Sequence, residues 1–148
     1  MKKFVFTNES YRKIKNDEYD RLKRELENVD REIEELEAQI QSIEARIEAE
    51  RIRQDRDCEE GVTVEKLMQY QNCYAYMRDA RKTAEEARDT LRLTREALQQ
   101  ELLKLHNQLR VLDEMREEQY AEYLKEVEKE EAKDMDTVLS FNIHEGAG

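Results

Sequence analysis

Cysteines, histidines and paired carboxylates could ligate a metal, attack an electrophile or relay a proton. In this chain of 148 residues they are few or poorly spaced for such work. Cys58, Cys73, His106 and His144 are the only cysteines and histidines. None joins an Asp or Glu at metal-ligand spacing, and no Gly-rich phosphate loop is present. Acidic pairs recur throughout, but on helix faces that the apolar pattern turns to water. General acid–base work needs a cleft that shifts a pKa. No catalytic residue, metal ligand or cofactor is therefore expected, and no enzyme. The start, MKKFVFTNESY, has an apolar stretch of three residues, too short for a signal peptide. Both cysteines accordingly read as reduced thiols in a cytosolic compartment, and both histidines as surface residues.

What remains is chemistry of recognition. The stretch LMQYQNCYAYM, residues 67–77, concentrates Tyr70, Cys73, Tyr74, Tyr76 and Met77. An off-seam tyrosine such as Tyr76 in so charged a chain predicts a docking patch. Phe4 and Phe6 form a second aromatic pair, expected to lie beside the start of the C-terminal overhang and either close the open end of the hairpin or meet a partner there.

Two helices must position these groups. Leu22, Leu26, Val29, Ile33, Leu36, Ile40, Ile43 and Ile47 are spaced alternately by four and three. That is an uninterrupted a/d heptad seam. A second seam runs Leu67, Tyr70, Tyr74, Met77, Arg81, Ala84, Arg88, Leu91, Arg95, Leu98, Leu102, Leu105, Leu109, Leu112. Its three arginines need carboxylate partners or water, and the glutamates of the first helix are the expected source. Upstream, Tyr11, Ile14 and Tyr19 extend the first apolar side. Thr7 is the expected N-cap there, with Phe6 and Tyr11 as a hydrophobic staple.

There is no proline, and Gly61 is the only glycine before residue 146. It can take a positive φ, Thr63 follows as an N-cap, and so short a connection favours antiparallel neighbours. The expected fold is all-α: a long antiparallel two-helix coiled-coil hairpin with an overhanging C-terminal helix, forming a single unit. Helix one is placed at about 7–56, the turn at 57–62, helix two at 63–138 and a frayed tail at 139–148. Partners should then have residue numbers adding to near 119, and the seam should end at Leu112 because helix one runs out. Residues 113–136 carry eleven acids and four bases, an acidic overhang.

The chain holds 26 Lys and Arg against 37 Asp and Glu, a net charge of −11. Such acidity argues against nucleic acid and against an anionic membrane surface. No apolar run approaches the ~20 residues that span a bilayer. The hairpin is expected to be a monomer when free. A self-associating parallel coiled coil, with Gly61 as a mere hinge, is the alternative from a different class.

The start KFVFTNESYRKIKNDEYDRLKREL, the turn GVTVEKLMQYQNCYAYM and the stretches LDEMREEQYAEYLKE and EKEEAKDMD stand in the order and spacing of a known family. Over roughly residues 2–140 the chain resembles the FliJ flagellar export proteins, with Arg116, Glu117, Glu131, Lys133 and Asp136 at recurring positions. The resemblance implies a non-enzymatic stalk of the type III export apparatus. Its implied partners are the hexameric export ATPase FliI, the gate protein FlhA and export chaperones. It implies gate contacts at Gln39, Ile43, Arg46 and Glu50 on helix one and at Cys73, Met77, Ala80 and Ala84 on helix two. Family aromatics are replaced here by Arg46, Glu50 and Cys73, so Tyr70, Tyr74 and Tyr76 are expected to supply aromatic area. The open end, with Phe4, Phe6, Tyr11, Arg116, Tyr120, Tyr123 and Lys133, is expected to meet the ATPase. An injectisome stalk would share these features. The implied location is cytoplasmic, against the inner face of the cell membrane.

Overall fold

A computed structural model describes residues 2–146. Helix α1 is Glu9–Glu60 and helix α2 is Val64–Gly146, and no strand occurs among the described residues. The two long helices pack against each other as an all-α helical hairpin. Every expected seam position is buried or half-buried, including all three seam arginines. A narrow stripe suffices for this, and other large apolar side chains, among them Leu93, Leu103 and Met135, stay exposed.

The connection is Gly61, Val62 and Thr63. Gly61 takes φ 95°, left-handed backbone that a side chain would strain. Its amide donates to the Cys58 carbonyl, closing the end of α1. Thr63 caps α2 as expected, its Oγ1 accepting from the Lys66 amide at 3.2 Å.

The turn therefore lies later than 57–62. Helix α1 keeps its frame through Glu50, Gln54 and Asp57, all half-buried although none is apolar. This moves the register. A sum of 119 would set Asp113 opposite residue 6, whereas Asp113 pairs with Arg12 at 2.7 Å, six positions on. The N-cap also moves. Asn8 supplies the first helical carbonyl, to the Arg12 amide, and Thr7 instead turns both its amide and its hydroxyl to Gln119 Oε1. Tyr11 and Ile14 are exposed, so neither extends the seam and Tyr11 is no staple. At the far terminus α2 continues to Gly146. His144's side chain lies outside the described residues.

The contacts divide into two compact units, Arg21–Leu102 and Met1–Asp20 with Leu103–Gly148. In the first, Arg95 lies 3.7 Å from Asp30 and Arg92 lies 3.0 Å from Glu37, an antiparallel pairing. The other seam arginines find acids on their own helix, Arg81 with Glu85 and Arg88 with Asp89. None of the three uses a glutamate of α1. In the second unit Phe6, Leu105 and Leu112 are buried. There α2 is not bare beyond Leu112, because residues 2–7 run along it as an extended strap.

Candidate functional site

In the unit that contains the turn, Tyr70, Tyr74 and Met77 form one buried cluster. Ile43, Ile47 and Cys73 pack against it. The heptad frame explains this, since all three clustered residues lie on the seam. Beside them Tyr70 donates its hydroxyl to Asp57, which also pairs with Lys66 at 3.1 Å. The bond to Asp57 pushes the Tyr70 phenol up to about 12. The same bond, then Lys66, hold the Asp57 carboxyl below its ordinary range. The Tyr74 hydroxyl is buried with no protein partner, and burial raises its pKa.

Three expected gate residues, Tyr70, Tyr74 and Met77, are therefore almost wholly buried, and Ala84 is buried as well. Ile43, Cys73 and Ala80 are half-buried, as is Glu50. Gln39 and Arg46 are exposed, and Tyr76 is 75 % exposed. Val64 and Met68, on the outward side of α2, are exposed too. The polar layer of Asp57, Lys66 and Tyr70 was not foreseen. Its signal was available, because Asp57 continues the spacing Ile47, Glu50, Gln54.

In the terminal unit the strap gathers an aromatic cluster. The Phe4 ring meets Tyr120 edge-on at 5.1 Å and Tyr123 at 5.5 Å. The Arg116 guanidinium sits 5.9 Å over the same ring. Tyr123 donates its hydroxyl to the Lys2 carbonyl at 3.0 Å. An open groove of about 1080 Å³ follows, lined by Lys2, Lys3 and Val5 on the strap and by Glu122, Glu126 and Val127 on α2. Of the residues expected at the ATPase end, the structure joins Phe4, Arg116, Tyr120 and Tyr123. Phe6 is core, while Tyr11 and Lys133 stand apart on the surface. Gln119 was missed, although it continues the α2 frame seven residues after Leu112.

Cys58 and Cys73 are both free thiols. No group of three or more His, Cys, Asp or Glu among the described residues could hold a metal. Both surfaces suit docking through aromatic and charged groups.

A family model described as Flagellar FliJ protein matches residues 9–147. This chain belongs to the FliJ family. No curated protein and no solved structure matches it significantly. The chain is thus a flagellar-export-associated protein. No helix among the described residues is long and apolar enough to cross a membrane.

Proposed function

We propose that this FliJ-family chain is a non-enzymatic stalk and adaptor of the bacterial flagellar type III export apparatus. Its terminal unit binds the hexameric export ATPase FliI and promotes ring assembly and activity. The contacts are made by Tyr120, Tyr123 and Arg116, with Phe4 holding the tyrosines in place and Tyr11 and Lys133 contributing from the adjoining surface. The unit with the turn contacts the gate protein FlhA through Tyr76, Gln39 and Arg46, the exposed members of the expected set. Tyr70, Tyr74 and Met77 support that surface from within. Export chaperones are further partners, and the protein works in the cytoplasm against the inner face of the cell membrane.

The observation that carries this reading is the family match over nearly the whole chain, joined to an aromatic cluster clasped by the strap. A single helix pair inside a six-fold ring cannot touch all subunits alike, so it would bias their conformations. The test is ATP hydrolysis by the purified flagellar ATPase of the same organism, with and without this protein. Stimulation that falls with Tyr123→Ala and Arg116→Ala, but not with Tyr76→Ala, is the expected result. No stimulation and no binding by the folded protein would refute it.

A further inference from the structure

The C-terminal part of α2 carries a second apolar stripe that the hairpin does not use. Tyr120, Leu124, Val127, Met135 and Val138 fall within roughly 80° of one another at 100° per residue. Glu131 is the one interruption of that spacing. The stripe is turned roughly 100° from the face that carries Leu112 and Gln119. The strap covers Tyr120 and flanks the half-buried Val127 across the groove, leaving Leu124 and the stripe beyond residue 127 exposed. Met135 is 66 % and Val138 55 % exposed, and every described side chain from 128 to 143 is exposed.

Charge around the stripe is one-sided. Glu128 borders one edge and Glu130 and Asp134 the other, with Glu131 between. Lys125, Lys129 and Lys133 lie on the opposite side of the helix. A second copy of this chain would set acid against acid, and an anionic bilayer would be repelled likewise. Complementarity selects an apolar face with basic borders.

We infer that this stripe is a docking site for an amphipathic helix of a partner protein whose apolar face is flanked by Lys and Arg. It shares Tyr120 with the aromatic cluster, but its docking residues from Leu124 to Val138 lie past that cluster and do not depend on the ATPase reading. The partner helix would lay its apolar residues along Leu124, Val127, Met135 and Val138. Its cations would reach the bordering carboxylates.

The test uses the full chain and three synthetic helical peptides labelled for fluorescence anisotropy. One has a leucine stripe with lysine borders, one has the same stripe with glutamate borders, and one keeps the lysines but scrambles the leucines. The expected result is that the first binds at least about tenfold tighter than either other. The triple variant Leu124→Ser, Met135→Ser, Val138→Ser keeps the net charge and should abolish that preference, with helix content checked by circular dichroism. A second variant, Glu128→Lys, Glu130→Lys, Asp134→Lys, leaves the stripe intact and should switch preference to the glutamate-bordered peptide. Equal binding of the ordered and scrambled lysine peptides would overturn the inference, because charge alone would suffice. So would indifference to the border charges, comparable binding to neutral phosphatidylcholine vesicles, or a dimer in sedimentation that the serine variant dissolves.

Discussion

Tyrosine does opposite things in the two units. Near the turn, Tyr70 and Tyr74 lie on the seam and are buried between the helices. In the terminal unit, Tyr120 and Tyr123 are only partly covered, by a strap with no regular structure. The residue type is the same, and Tyr123 even shares the heptad position of Tyr74, so what lies opposite decides between them. A seam tyrosine has a helix opposite, whereas one past the start of α1 has only what the N-terminal residues can offer. Aromatic content therefore does not locate a docking surface; what each aromatic has opposite it does.

This contrast can be broken or sharpened by substitution. Tyr74→Ala should cost about 3 kcal/mol or more in urea unfolding, as a large buried ring is lost. Tyr74→Phe should stay within about 0.5 kcal/mol of wild type, because its buried hydroxyl has no protein partner to lose. A large cost for the phenylalanine variant would show that the hydroxyl is held after all. Phe4→Ala should cost only about 1 kcal/mol. Its clearer sign should be faster protease cleavage within residues 2–8, with urea unfolding of the seam hardly moved. If Phe4→Ala lowered stability as much as Tyr74→Ala, the strap would be core and the contrast would fail. Tyr76→Ala should shift stability by no more than about 0.5 kcal/mol while weakening gate binding in a pull-down. Unchanged gate binding would remove Tyr76 from the proposed contact.

The finest distinction is in pH. Tyr70 has its pKa raised from 10.0 to about 12, so the stability it contributes is complete below pH 10 and lost as pH rises toward 12. Asp57 has its pKa lowered from 3.8, so its contribution is present above pH 3.8 and lost as pH falls through the depressed value. Tyr70→Phe should flatten the alkaline limb of a Tm–pH profile. An unchanged limb would show that the bond to Asp57 does not persist in solution.

Much of the fold was legible because the seams are long and regular. From Leu22 to Ile47 and from Leu67 to Leu112, apolar spacing alone identifies the buried face. The register was not legible, for a specific reason. Glu50, Gln54 and Asp57 hold seam positions without apolar side chains, so the apolar pattern of α1 stops before the helix does. The strap was hidden for another reason. KFVF has no period to read, and its partners lie more than a hundred residues away. Residues on the seam beside the turn were expected to dock and are buried; Tyr76, one step off it, is not. That difference follows from the helical frame, which composition does not carry.

The distances along the chain set an order in time. The bond between Tyr70 and Asp57 closes a separation of 13 residues, whereas Tyr123 and Lys2 are separated by 121. Loop-closure entropy favours the first by a wide margin, so the helices should zip from Gly61 toward the termini. Pulsed hydrogen exchange during refolding should protect amides around Tyr74 before those around Tyr123. During synthesis the gap is wider still. Phe4 is made more than a hundred residues before Tyr120 and Tyr123. Throughout that stretch of synthesis the strap has nothing to hold.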